Sequence, residues 1–213
     1  MKKIKKIFKE LRYALYLSVH PFKGFWDIKY EKEGSLTTAI ILMVLTAIVQ
    51  IAGDLGTGYL FSGYVSANYN MIDTIISFLF LFFSWCIANW CLTCLSDGKG
   101  TFKDIVMFTA YSLTPYIILQ TSMIIVSNMF ILREQVFYDM LNGLSYVWTA
   151  FLLVSGMLTT HHFTLKRTLV VLLFTIVGIV VIAVLILMVF AMFQQVVSFA
   201  STVFDEFMLR VSY

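Results

Sequence analysis

Residues 168–193 read TLVVLLFTIVGIVVIAVLILMVFAMF, 26 positions without a single Asp, Glu, Lys or Arg. About 20 apolar helical residues cross a hydrocarbon core of about 30 Å. At 1.5 Å per residue this run reaches roughly 39 Å, so it tilts or protrudes. Lipid offers the backbone no hydrogen-bond partners, and such a segment satisfies its own groups by forming a helix. Four more runs free of charge precede it. They are Gly34–Gly53 (centred on AIILMVLTAIVQ), Thr74–Ser96, Ile105–Leu132 and Met140–Leu165, the last with its apolar heart over Leu144–Leu158. Strict alternation of polar and apolar residues is absent, which argues against an outer-membrane barrel. The pattern predicts an all-α, polytopic membrane helical bundle of five transmembrane helices.

The composition agrees with that reading. AVILMFWYC residues make up 60% and DEKR residues 13% of 213 positions, with a mean hydropathy of +0.88. A soluble domain sits near 45–50% apolar and about 25% charged. A soluble globular enzyme is excluded, and so is a disordered chain, which needs low hydrophobicity and high net charge. The formal net charge is +3, yet nine of the 15 Lys and Arg residues lie in the first 34 positions, beside the first apolar run. That placement is a topology signal or an anionic-lipid contact rather than a nucleic-acid surface, and no nucleic-acid module accompanies it. With the N-terminus cytoplasmic, segments 1–34, 97–104 and 161–167 carry thirteen Lys and Arg, against two in the opposite segments (Arg133 and Arg210). The asymmetry predicts N-terminus inside and C-terminus outside.

Three units follow. Residues 1–34 form a cytoplasmic amphipathic helix and aromatic elbow, 35–193 the five-span membrane domain, and 194–213 a short exterior C-terminal tail. The basic N-terminus is interleaved with Ile4, Ile7, Phe8 and Leu11, and no compact apolar stretch follows before Lys29–Glu33, so it is not a cleavable signal. On a helix over 2–19, Ile4, Ile7, Phe8, Leu11, Ala14, Leu15 and Val19 share one face. Lys2, Lys5, Lys6, Lys9 and Arg12 take the other, and with Lys3 they make the candidate membrane-surface set. Such a helix serves as a topology anchor or as a docking helix for a partner. His20-Pro21 ends it. The stretch from Pro21 to Ser35 mixes aromatics with charges of both signs and leads back to the first span, where Gly34 and Ser35 cap the helix start. Between the first two spans, residues 54–73 read as a Gly- and Tyr-rich outer turn.

Candidate chemistry is sparse. Cys86, Cys91 and Cys94 are odd in number and sit in one apolar run, so no disulfide framework is expected. The Cys91-x-x-Cys94 pair lacks a second Cys or His pair at zinc spacing and is read as small residues packing. His161-His162 is read as an interfacial, solvated pair. No carboxylate is placed in mid-span, where charge costs several kcal/mol. Gln50, Asn89, Gln120 and Asn128 either bond neighbouring helices, at about 1 kcal/mol each, or line a solute path. Pro115, in Tyr111-Ser112-Leu113-Thr114-Pro115-Tyr116, removes one donor and frees the carbonyl of Tyr111. The third span is therefore expected to be kinked, by packing or as a hinge, with Ser112, Thr114 or a neighbouring helix compensating. No catalytic set, cofactor motif or metal cluster is legible.

Three elements carry a resemblance. Asn89-Trp90, the loop Ser96-Asp97-Gly98-Lys99-Gly100-Thr101-Phe102-Lys103-Asp104, and Thr109-Ala110-Tyr111-Ser112-Leu113-Thr114-Pro115-Tyr116 resemble bacterial members of the Ypt-interacting protein (Yip) domain family. His20-Pro21-Phe22 with Gly24-Phe25-Trp26-Asp27 is similar too, and the likeness spans roughly residues 18–193. Where eukaryotic members have Gly-Tyr-Ser this chain has Ala110-Tyr111-Ser112, and their Asp-Leu-Tyr-Gly-Pro element is not reproduced, so small-GTPase binding is not carried over. The resemblance implies a non-enzymatic membrane partner or organiser. Bacterial members of this type are often associated with carbohydrate ABC importers, which implies an accessory subunit of the bacterial cell membrane packed against an ABC permease. Trp26, Asp27, Asn89, Gly98, Lys99, Gly100, Tyr111, Ser112, Pro115 and Gln120 are the candidate interface or hinge residues. Two alternatives stand beside this expectation: an autonomous small-solute transporter or channel, and a membrane-shaping or trafficking factor using residues 2–19.

Overall fold

A computed structural model describes residues 2–58, 69–130 and 134–211. Half of the outer turn at 54–73 (residues 59–68), and Arg133, lie outside the described residues, as do the side chains of Lys2, Lys3 and Lys5. The described residues are mostly helical. The order is α1 (Lys2–Val19), α2 (Pro21–Trp26), a π-helical turn (Asp27–Glu31), α3 (Leu36–Gly56), α4 (Met71–Leu95), α5 (Phe102–Ser112), α6 (Thr114–Ser127), α7 (Gln135–His161) and α8 (Leu165–Val211). Five segments are long and apolar enough to cross a membrane: α3, α4, α5 with α6, α7, and α8. This is a multi-pass membrane protein.

Local chemistry fixes the ends. The Ser35 side chain accepts from the Thr38 N–H and caps α3, and Asn70 caps α4 in the same way. At α5, Thr101 and Asp104 form a reciprocal capping box. Pro21 opens α2, where its missing N–H is no loss. The third span is divided at Leu113, with Pro115 near the start of its second half. The Thr114 hydroxyl donates to the carbonyl of Tyr111 at 2.7 Å, the group that a proline four residues on leaves without its usual partner. The Ser112 hydroxyl bonds back to Phe108 O, also at 2.7 Å.

In the bundle, α7 packs along α5 and α6 and crosses α2, α3 lies against α5 and α6, and α8 runs mainly along α4. A Cβ on Gly178 would stand 3.1 Å from the Ala88 side chain, so α4 and α8 approach closely through small residues. The core joins Phe82 and Cys86 of α4 to Ile105, Phe108 and Tyr111 of α5 and to Leu152 and Met157 of α7. It also includes Ala14 and Leu17 of α1 and Phe25 of α2.

Several expectations need correction. Residues 194–211, expected as a tail, continue α8, which runs 47 residues; no Gly or Pro lies among 194–211 to end it. At 1.5 Å per residue that helix is about 70 Å long, more than twice the hydrocarbon core. The N-terminal helix does not lie free on a surface. Its buried stripe is Glu10, Ala14, Leu17 and Ser18, which overlaps the edge of the predicted apolar face at Ala14 and the partly buried Leu11, while Phe8, Leu15 and Val19 are exposed. Cys91 and Cys94 point outward, and among the three cysteines only Cys86 is packed inside.

Polar residues between spans act as cross-links. The Gln120 amide donates to Asn142 Oδ1 at 2.6 Å and to Ser145 Oγ at 3.1 Å, joining α6 to α7. Gln120→Leu is expected to lower stability in detergent by about 1 kcal/mol, read as a fall in the thermal melting midpoint. An unchanged midpoint would remove this cross-link from the account.

A candidate interaction platform at the basic end

Three Lys- and Arg-bearing segments meet at one end of the bundle: the π-helical turn, the α4–α5 loop, and the junction of α7 with α8. The loop begins where α4 stops. Asp97 takes a left-handed conformation (φ 52°), and the Gly98 N–H returns to the Thr93 carbonyl at 2.8 Å, as in a Schellman end. Gly98 and Gly100 then lie flat on His161. A Cβ at either position would fall 2.6 Å from the imidazole ring, so only glycine lets the loop approach this closely. The Gly100 N–H donates to His161 Nδ1 at 3.3 Å. His161 is 1% exposed, not a solvated surface group, and its ring stacks on Phe163. The pair separates because His162 takes a left-handed backbone (φ 56°) and turns outward.

Two cations hold the loop from its sides. The Lys29 ammonium donates to the carbonyls of Thr160 and Lys99, tying the N-terminal segment to both α7 and the loop. Burial holds Lys29 below the ordinary lysine pKa; Lys99 adds to that and Asp104 opposes it. The Arg167 guanidinium donates to Ser96 O, lies 3.9 Å from Asp97, and sits over the Phe163 ring. Beside them Trp26 packs on Tyr30 with ring centroids 4.2 Å apart, and the Tyr30 hydroxyl meets His162 Nε2. Trp26 and Tyr30 remain 47% and 45% exposed, so this aromatic pair is both anchored and presented.

A second junction fixes α1. Glu10, 3% exposed, accepts from the hydroxyls of Ser35 and Thr38 at the start of α3. A carboxylate there also meets the positive end of the α3 dipole. Tyr111, fully buried, brings its hydroxyl to the Ser35 N–H at 3.4 Å. The Tyr13 hydroxyl donates to Asp27 Oδ2 at 2.7 Å, and burial together with that carboxylate raises the Tyr13 pKa. Lys9 pairs with Glu33 at 2.9 Å, and the Trp148 indole donates to Ser18 O at 3.1 Å.

The residues singled out from sequence therefore scatter over the bundle. Trp26, Asp27, Gly98, Lys99 and Gly100 belong to the platform. Tyr111 belongs to the Glu10 junction. Ser112 and Pro115 flank the break in the third span, and Gln120 bridges α6 to α7. Asn89, fully buried in α4, donates to the Met157 sulfur at 3.5 Å, and its Oδ1 has no partner among the described residues. Glu10, Lys29, Tyr30, His161 and Arg167 hold these two junctions together, and the residue pattern does not reveal that. Glu10 looks like one charge among many on a polar face, and its spacing of 25 residues from Ser35 gives no signal.

The Yip1 domain family model matches residues 15–203. The chain belongs to this family. The Yip1 match begins inside α1, covers α2 and the first four spans, and ends inside α8, the fifth. Both halves of the platform, the π-helical turn and the Gly98-Lys99-Gly100 loop, therefore lie within the Yip1 domain. Among curated proteins and solved structures, none matches the chain.

Proposed function

We propose that this chain is a non-enzymatic accessory or scaffold subunit of a membrane assembly, with a carbohydrate ABC importer as the assembly it serves. The platform carries the reading. It ties three segments into one rigid unit and displays Trp26 and Tyr30, the residue types that most often anchor protein interfaces when held on a firm support. The long apolar flank of α8, little of which is covered within the chain, supports packing against permease helices. Membership of the Yip1 domain family supports a membrane role. The thirteen-to-two distribution of Lys and Arg supports a cytoplasmic platform, a cytoplasmic N-terminus and an exterior C-terminus in a bacterial cell membrane, with Lys9 and Arg12 near an anionic leaflet.

Deleting the gene tests the role. Uptake of at least one carbohydrate is expected to fall, with loss of the corresponding importer complex from the membrane. Unchanged uptake across a carbohydrate panel, with every importer complex intact, overturns the reading. The double variant Trp26→Ala, Tyr30→Ala is expected to lower recovery of the partner about tenfold or more while the purified chain keeps its helical content. Full recovery by that variant moves the interface away from the platform.

A further inference from the structure

Between α1, α3 and α6 lies a groove of about 300 Å³. Its walls are Phe8, Leu15, Leu42, Leu45 and Ile117, and Arg12 is the charged residue among its lining. Leu42 and Leu45 lie six and nine residues inside α3, roughly 9–14 Å along that helix, so the wall descends into the span. Arg12 belongs to α1, whose Glu10 touches the start of α3, so the cation stands near the shallow end. Among the described residues no carboxylate forms an ion pair with Arg12.

We propose that this groove is a phospholipid site. It takes one acyl chain of an anionic phospholipid, with the phosphate held by Arg12. The chemistry matches at both ends: the wall offers hydrocarbon at hydrocarbon depth, and a guanidinium binds phosphate through two parallel N–H donors. The groove also gives the exposed apolar residues Phe8 and Leu15, beside the stripe through which α1 docks, a hydrocarbon partner. The proposal does not depend on the accessory role.

The test uses the full-length purified chain and native mass spectrometry with added phosphatidylglycerol or phosphatidylcholine. One phosphatidylglycerol is expected to be retained about fivefold better than phosphatidylcholine, and Arg12→Gln is expected to abolish that preference. Leu45→Trp, which fills the groove, is expected to lose the lipid, while Leu81→Trp on the exposed side of α4 keeps it. Both tryptophan variants are compared by thermal melting, so that a misfolded chain is not scored. A photoactivatable acyl chain on phosphatidylglycerol adds a readout in the wild-type protein, and its label is expected on peptides containing Leu15, Leu45 and Ile117. Equal retention of the two lipids, retention in Leu45→Trp, or label spread evenly over all five spans overturns the proposal.

Discussion

Replacing Glu10 with leucine is expected to destabilise the protein by about 3 kcal/mol, the scale of lost hydrogen bonds to a charged group. The substitution removes the acceptor shared by the Ser35 and Thr38 hydroxyls and leaves both facing an apolar side chain. Thr38 is fully buried, so its hydroxyl finds no water in exchange. The anion at the positive end of α3 is lost as well. Glu10→Gln keeps an acceptor oxygen in place and is expected to cost less than half as much. The measurement is thermal melting in detergent, paired with limited proteolysis of the N-terminal segment. In Glu10→Leu the cuts should concentrate at Lys6, Lys9 and Arg12, as α1 separates from α3. Equal melting of wild type and Glu10→Leu would mean that α1 is not anchored through this carboxylate.

Gly100→Val is the second large effect, at about 1–3 kcal/mol from overpacking. Its Cβ would fall 2.6 Å from His161 Cε1 and 2.9 Å from the Thr160 side chain. Neither neighbour gives way easily, because His161 is enclosed between the loop and Phe163 and Thr160 is buried. The loop must lift, and with it goes the Lys29 contact to Lys99 O. A double-mutant cycle separates this from a general loss of loop stability. His161→Ala opens room under the loop, so adding Gly100→Ala to it is expected to cost less than Gly100→Ala alone. Additive costs would show that the loop does not rest on the histidine.

The spans were legible because apolar length in a bilayer admits one solution. The 168–193 run, the four before it and the break near Pro115 follow from backbone hydrogen bonding alone. The loop glycines were legible as a motif, but their reason was not: it lies in a ring 61 residues away in the chain. How the N-terminal helix docks was not legible, for a physical cause. Its apolar periodicity marks Ile4 to Val19, but its docked stripe is anchored by polar bonds from Glu10 and Tyr13, and hydrophobic pattern carries no information about those. His161 was misplaced because neighbouring Lys and Arg suggest solvent, whereas the intervening His162 reverses the backbone and leaves His161 inside. The end of α8 is not marked by the end of the apolar run, where Gln194-Gln195 follow Phe193. Glutamine is a good helix former, and nothing after it breaks the helix.

The central claim is that this Yip1-domain chain works as part of a larger membrane assembly. Purification from native membranes in mild detergent at chromosomal expression level, with mass spectrometry of the proteins that co-elute in fixed ratio, tests it most directly. The account predicts permease and ATPase subunits in stoichiometric amount, lost on Trp26→Ala, Tyr30→Ala. Recovery of the chain alone, or only as copies of itself, would contradict it.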